Sequence, residues 1–320
     1  MKIAYVKRRF HPPSLAIIAA ANGIIESYQK QGYTMTLRQI YYRFIAADLF
    51  PRSWVDDEYN KKFGHAPGTK NTMKNYKRLG ELLNDARLAG LVDWDAMEDR
   101  TRNLMGASHF ADPQHAVEAA ARQYLTDKWE GQPRRVEVWI EKDALLGVFE
   151  RACLNRDIDV PYFSCRGYNS QSEMWGAAQR ILWYKERYGQ DTTILQFSDH
   201  DPSGIDMERD IRERLEMFLC PVTVRRMALT IAQVRKFNPP PNPARETDAR
   251  YADYKRKFGD DSWELDALDP VTLDKLIRDA VLKDYRDHGA WAKALKAEAR
   301  DKTLLAKVAK RWDKVKRAVR

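Results

Sequence analysis

Four short apolar runs, each followed by a helix-like pattern, constrain this chain more than any other feature. Residues 136–140 read Val-Glu-Val-Trp-Ile and lead into Ala-Leu-Leu-Gly-Val-Phe at 144–149. Residues 160–165, Val-Pro-Tyr-Phe-Ser-Cys, precede a helical pattern over about 172–187. Ile-Leu-Gln-Phe at 194–197 is followed by a long amphipathic segment that starts behind Pro202-Ser203-Gly204. A fourth run at 222–228 is followed by a helix from about Ile231. Such alternation predicts an α/β fold, a Rossmann-like parallel sheet with helices on its faces. Right-handed crossovers then bring the carboxyl ends of the strands to one edge.

Carboxylates sit where those strands end. Glu141 closes the first run, and Asp199 and Asp201 close the third. In extended backbone, residues i and i+2 point to the same side. Two like charges brought together repel unless a cation lies between them. A plain turn is the competing reading, with Asp201 capping the next helix and Pro202 in its first position. Glu264 and Asp266 are further candidates for completing a metal site, or are ordinary strand-end charges. His200 lies between the two aspartates and should point away from them, in a structural or DNA-facing role.

Three stretches together carry a family resemblance: Glu141-Lys142-Asp143-Ala144-Leu145, Arg166-Gly167-Tyr168, and Asp199-His200-Asp201-Pro202-Ser203-Gly204. They resemble a TOPRIM domain, in the version found in the A subunit of topoisomerase VI and in its relative, the meiotic double-strand-break protein. The likeness covers roughly residues 134–235. It implies magnesium (Mg2+) held by Glu141, Asp199 and Asp201, and cleavage of DNA strands. Lys142 and Arg166 are then placed to touch the phosphate.

Upstream, the pattern predicts a helix from Ser14, as cap, to about Lys30, and a second over residues 37–47. A polar loop follows over 56–72, then a third helix over about 71–89 and a short strand at 91–95. Three helices and a strand hairpin make the winged-helix plan, with the third helix as the recognition element. Lys70, Lys74, Lys77, Arg78 and Arg87 on that helix suit phosphates, and Asn71, Asn75 and Asn84 suit base edges. Arg38-Gln39-Ile40-Tyr41-Tyr42 resembles the tyrosine motif of the same family, whose winged-helix domain precedes TOPRIM. The resemblance implies a tyrosine nucleophile, Tyr42 ahead of Tyr41, that forms a phosphotyrosyl bond and frees a 3′-hydroxyl. A free tyrosine has a pKa near ~10, so attack needs a base or a neighbouring cation such as Arg38 or Arg43. Both tyrosines as core residues remain the alternative.

The chain has 320 residues, of which 44% are hydrophobic, enough for about two domains with a proper core. No window approaches a membrane span, and no signal peptide is evident, so a cytoplasmic protein without a membrane partner is expected. The cysteines, Cys153, Cys165 and Cys220, are scattered and odd in number, which argues against a disulfide framework or zinc. Net charge is +9 and the pI near 9.3, pointing to a polyanionic partner, double-stranded DNA. From Trp291 to Arg320, eleven Lys and Arg face Glu298, Asp301 and Asp313, with apolar residues at helical spacing. That is a basic amphipathic helix or helix pair, either docked or in contact with a DNA backbone.

The expected organisation is a winged-helix domain over 1–105, a helical linker over 106–133 with a helix over about 116–129, a TOPRIM domain with its extension over 134–290, and the basic helix over 291–320. The family resemblance implies a homodimer in which the tyrosine of one subunit meets the metal site of the other. It also implies a separate ATPase partner, since no phosphate-binding Gly-rich loop occurs in this chain. Its size suits a nucleoid-associated protein or one encoded by a phage or other mobile element. Three functions compete: a tyrosine- and magnesium-dependent enzyme making DNA double-strand breaks, a hydrolytic TOPRIM endonuclease without a covalent intermediate, and a DNA-binding protein without catalysis.

Overall fold

A computed structural model of the chain describes residues 1–97, 109–165 and 170–318. Helix α1 (Pro12–Lys30) begins behind His11, with Pro12 and Pro13 in its first turn; Ser14 lies inside the helix and does not cap it. Proline suits that first turn because the amides it lacks would have no helical partner. Helix α2 (Leu37–Ala46) starts at a reciprocal capping box between Thr36 and Gln39. The segment expected as a polar loop instead contains α3 (Asp57–Lys62), because the Asp56 side chain accepts from the Tyr59 amide and caps it. Helix α4 (Met73–Leu88) is capped by Thr72.

Helices α1, α2 and α4 pack on one another around Ile17, Ile25, Ile40, Phe44, Leu79 and Leu83, all buried. The strand expected at 91–95 is not formed. Leu91 bonds back to the Ala86 carbonyl, and Asp93 caps a 3-10 turn at Trp94–Ala96. Among the described residues no strand hairpin follows α4, while Asp99–Arg102 lie outside those residues. Asn71 and Asn75 are buried and occupied, so they cannot read base edges as expected. Asn71 donates to the Pro241 carbonyl and to Asn242, and Asn75 to the Trp54 and Lys70 carbonyls.

After α5 (Pro113–Gln123), the chain leaves helical geometry at Tyr124, short of the expected end at Trp129. Trp129 turns inward and donates to the Ile158 and Asp159 carbonyls. The α/β unit follows as β1 (Arg135–Ile140), α6 (Leu146–Cys153), β2 (Tyr162–Ser164), α7 (Gln171–Tyr188), β3 (Thr192–Phe197), α8 (Pro202–Met217), β4 (Thr223–Ala228) and α9 (Ile231–Phe237). All strand pairings in this sheet are parallel, in the order β2-β1-β3-β4.

β1 and β3 are buried along their whole length because helices cover both faces. Val136, Val138 and Ile140 join Leu195 and Phe197 in one core, and Trp139 joins Ile194, Met207 and Ile211 in the core on the other side. The first crossover runs outward to β2 and the next returns past β1 to β3. A crevice therefore opens between the carboxyl ends of β1 and β3, where ligands bind in open α/β sheets.

The chain then folds back over this edge. The extended Pro-rich segment pairs as β5 (Asn242–Pro243) with β6 (Asp261–Ser262), antiparallel and on either side of α10 (Tyr251–Phe258). A 3-10 turn at Leu265–Ala267 leads into α11 (Pro270–Asp284), α12 (His288–Lys310) and α13 (Trp312–Ala318). Ala267 enters the core of the N-terminal helices. The basic C-terminal segment is a helix pair, and α12 lies against α5 with Trp291, Glu298 and Ala309 buried. The three cysteines are buried. Among the described residues no helix is long and apolar enough to cross a membrane.

Candidate active site

The acidic loop after β3 is built by three local devices. Asp201 caps α8 by accepting from the Gly204 amide at 2.6 Å, with Pro202 in the first turn, so the plain-turn reading describes this residue correctly. Gly204 is required there because a Cβ would meet the Asp199 carbonyl oxygen at 2.3 Å. Arg226 on β4 grips the loop from beneath, donating to the carbonyls of Gly204 (2.6 Å), Asp199 (2.6 Å) and Leu229 (2.9 Å). Burial lowers the pKa of this guanidinium, and Glu141, Asp201 and Asp199 act in the opposite direction.

Glu141 faces the loop from the end of β1, and its Oε2 accepts from the Asp199 amide at 2.9 Å. Burial and the nearby Asp201 push the Glu141 carboxyl up, while the Asp199 amide works against them. Asp199 is committed on both oxygens, with Oδ1 accepting from the Leu265 amide at 2.8 Å and Oδ2 paired with Lys142 at 2.7 Å. Burial pushes it well above the usual carboxylate range, against the pull of Lys142. His200 turns away from both aspartates, as expected. Its Nδ1 meets the Tyr254 hydroxyl at 2.9 Å, and its ring packs on Tyr254, Phe258 and Trp263.

Lys142 does not project as an unengaged phosphate contact. Its ammonium also pairs with Glu264 (2.5 Å) and Asp266 (3.5 Å). Burial alone would lower its pKa, but Asp266, Asp199 and Glu264 together raise it. Arg38 on α2 reaches the same carboxylates, at 2.6 Å to Glu264 and 2.9 Å to Asp266. Three carboxylates thus face two cations. Glu264 touches both cations, and despite burial Lys142 and Arg38 hold it down at about 2. Asp266, whose side chain is 0% exposed, is pushed up by burial.

The adjacent tyrosines differ in their surroundings. The Tyr41 hydroxyl is within bonding distance of the Thr72 carbonyl and amide, the Lys70 carbonyl and Asn71. Among the described residues the Tyr42 hydroxyl has a long contact from Asn242 at 3.5 Å and lies beside the Arg38 guanidinium, and Asn242 also lies 3.4 Å from Glu264. Arg38 sits 5.9 Å from the centre of the Tyr42 ring. Burial pushes both phenols up; at Tyr42, Asp266 and Glu264 add to this and Arg38 opposes it.

These groups meet in one cleft of about 610 Å³, lined by Arg38, Tyr42, Glu141, Lys142, Asp199, Asp201 and Glu264 among others. Its volume is that of a ligand site. A comparison with family models and with curated proteins finds no match to this chain.

The remaining sequence candidates lie apart. Lys74 is paired with Asp56, Lys77 is exposed on α4, and Arg78 stacks over Trp54 at 4.3 Å. Lys70 and Arg87 turn to the protein's own backbone, at Phe50 and Trp94. Arg166, Gly167 and Tyr168 lie outside the described residues. Sequence reasoning missed Arg226 and Asn242. Arg226 is half-buried near the carboxyl end of β4, and an arginine in the carboxyl half of a predicted parallel strand is a usable sequence signal for a polar anchor.

Magnesium suits the donor set. Glu141 Oε1 and Asp201 Oδ2 accept no hydrogen bond among the described residues and belong to hard carboxylate ligands whose mutual repulsion a cation would relieve. No three His, Cys, Asp or Glu side chains among the described residues are grouped to enclose a metal.

Proposed function

We propose that the protein is a magnesium-dependent DNA-cleaving enzyme, a compact relative of the topoisomerase VI A subunit with a winged-helix-like N-terminal region and a TOPRIM-like sheet, which cuts by tyrosine transesterification. The observation that carries this reading is the shared cleft, which is lined by a tyrosine next to a guanidinium and by the carboxylates at the β1 and β3 ends. Glu141 and Asp201 would hold the ion, with Asp199 in reserve behind Lys142. The ion supplies charge neutralisation at the scissile phosphate. Arg226 fixes the loop bearing the aspartates. Arg38 favours the Tyr42 phenolate against the effect of burial. Exposed Lys77, Lys74 and Arg78 on α4, with the basic faces of α12 and α13, suit the duplex backbone.

A hydrolytic TOPRIM endonuclease is the second reading. The observation favouring it is the Tyr42 hydroxyl itself, buried, pushed up in pKa, and, among the described residues, without a base in hydrogen-bonding contact. Supercoiled plasmid incubated with the protein and magnesium, quenched in denaturant and run with and without protease, separates the two. DNA retained by protein until proteolysis, and lost in both Tyr42→Phe and Glu141→Ala, is the expected result. Protein-free breaks that survive Tyr42→Phe but not Glu141→Ala would establish hydrolysis instead. No breaks under any condition would leave DNA binding alone.

A further inference from the structure

We propose that Arg245 is a phosphate-binding residue of the cleft, and that its guanidinium takes a phosphodiester oxygen of DNA beside the ion that Glu141 and Asp201 would hold. The proposal rests on the DNA-cleaving reading above and holds for its tyrosine and its hydrolytic form alike.

The charges lining the cleft single out this residue. Glu141, Asp199, Asp201 and Glu264 contribute carboxylates, and Arg38, Lys142 and Arg245 contribute cations. Arg38 and Lys142 are spent within the protein, on Glu264, Asp266 and Asp199. Arg245 is exposed, and its side chain has no ion pair or hydrogen bond among the described residues. A phosphate entering among these carboxylates is repelled unless cations offset them. The ion supplies one offset, and among the described residues Arg245 is the cleft cation still able to supply another. A guanidinium also matches a phosphate with two parallel N–H donors. The phosphate contact suggested for Lys142 passes to Arg245, because burial ties Lys142 to carboxylates and leaves Arg245 in water.

Backbone contacts fix where this side chain starts. Trp263 exchanges hydrogen bonds with His200, the residue between the two aspartates, at 2.8 and 3.0 Å. Just before Trp263 lies β6, which pairs with β5, and the Ala244 amide extends that ladder to the Asp260 carbonyl at 2.8 Å. Arg245 follows Ala244, which is buried. On its other side, the Asp248 amide donates to the Arg245 carbonyl at 3.1 Å. Asp248 in turn accepts from the Ser203 hydroxyl at 2.6 Å, at the start of α8 behind Asp201. Both flanks of Arg245 are thus tied to the loop that carries Asp199 and Asp201. An arginine anchored in this way loses little backbone freedom when it binds.

The test is equilibrium binding of a short fluorescein-labelled duplex, followed by anisotropy with calcium in place of magnesium and again with a chelator. With calcium, Arg245→Gln should bind about tenfold more weakly than wild type, the loss of one charge-assisted contact. With chelator, or in an Asp201→Asn background whose asparagine keeps the cap on α8, the same substitution should cost no more than about twofold, since two groups acting on one phosphate are coupled. Arg245→Lys should fall between wild type and Arg245→Gln, because it keeps the charge and loses the fork. A deficit of equal size with calcium, with chelator and in Asp201→Asn would make Arg245 a general backbone contact and overturn the proposal. Wild-type affinity of Arg245→Gln with calcium overturns it as well. Arg245→Gln should melt at the wild-type temperature, and if it melts lower, the same three comparisons made with Arg245→Lys decide. Either failure leaves the DNA-cleaving reading in place, whereas a wild-type chain that binds no duplex removes both.

Discussion

Tyr41 and Tyr42 are neighbours in sequence with almost equal burial, 4% and 3% exposed, yet their hydroxyls are used differently. The Tyr41 hydroxyl joins four polar groups of the 70–72 segment, whereas that of Tyr42 meets only weak partners among the described residues, Asn242 at 3.5 Å and the nearby Arg38. Tyr41→Phe should therefore cost about 1–3 kcal/mol in urea unfolding, because buried groups are left without their partner, and should leave cleavage in place. Tyr42→Phe should cost less stability and abolish the covalent adduct. Equal losses of stability would contradict this division.

Glu298, counted in the sequence only as an offset to basic charge, is a buried anchor. It accepts from the Thr126 amide and pairs with buried Lys128 at 3.0 Å. Burial works to raise its pKa, but those partners hold its carboxyl at about 2, below the ~4.3 of a free glutamate. Its stabilisation is complete above the free value and is lost as pH falls through the folded one. Melting temperature measured between about pH 5 and 2 should fall less steeply in Glu298→Gln than in wild type. At neutral pH, Glu298→Ala should destabilise by about 1–3 kcal/mol, since buried Lys128 loses one of its two carboxylate partners and keeps only Asp159 at 2.7 Å, and the Thr126 amide loses its acceptor.

At the scale of elements, helix starts were largely legible because capping is local. Thr36 with Gln39, and Asp201 with Pro202, act within three residues of each other. Ser14 misled because two prolines ahead of it already begin α1. The α3 turn was hidden in a polar stretch, where a short helix buries too little to leave a periodic pattern. Gly204 and Gly23 make a paired test of what a glycine is for. A Cβ at Gly204 collides with the Asp199 carbonyl, so Gly204→Ala should lower stability and eliminate cleavage. Gly23, exposed inside α1, has open space around it, and Gly23→Ala should raise stability by about 0.5–1 kcal/mol. A stable, active Gly204→Ala protein would show that the loop after β3 tolerates displacement.

Across the whole molecule, the N-terminal helices and the sheet are joined through residues that the chain brings back after position 240. Asn242, Glu264, Asp266 and Ala267 all contact the α2 region or its cleft. The basic surplus is spread over surfaces away from that cleft, with Lys307, Lys310 and Lys314 exposed on α12 and α13. If DNA lies across them, affinity should fall steeply with salt. Changing these three lysines to Gln should then reduce the slope of log K against log salt by about 0.9 for each phosphate no longer neutralised. An unchanged slope in fluorescence titrations would confine the helix pair to its docking role on α5.

The sequence by itself determined the parallel α/β alternation, the order of its elements and the carboxylates at the strand ends. Those properties follow from hydrophobic period, turn residues and the handedness of crossovers, which act over short spans. It did not contain the partners of those carboxylates. Lys142 meets Glu264 across 122 residues and Arg38 meets it across 226, pairings that no local spacing encodes. Burial decided the rest. An exposed Lys142 would meet a phosphate, but an ammonium taken out of water must be neutralised by whatever anions the fold brings to it. Here Asp199, Glu264 and Asp266 do so, and the same fold closes Tyr42 against them.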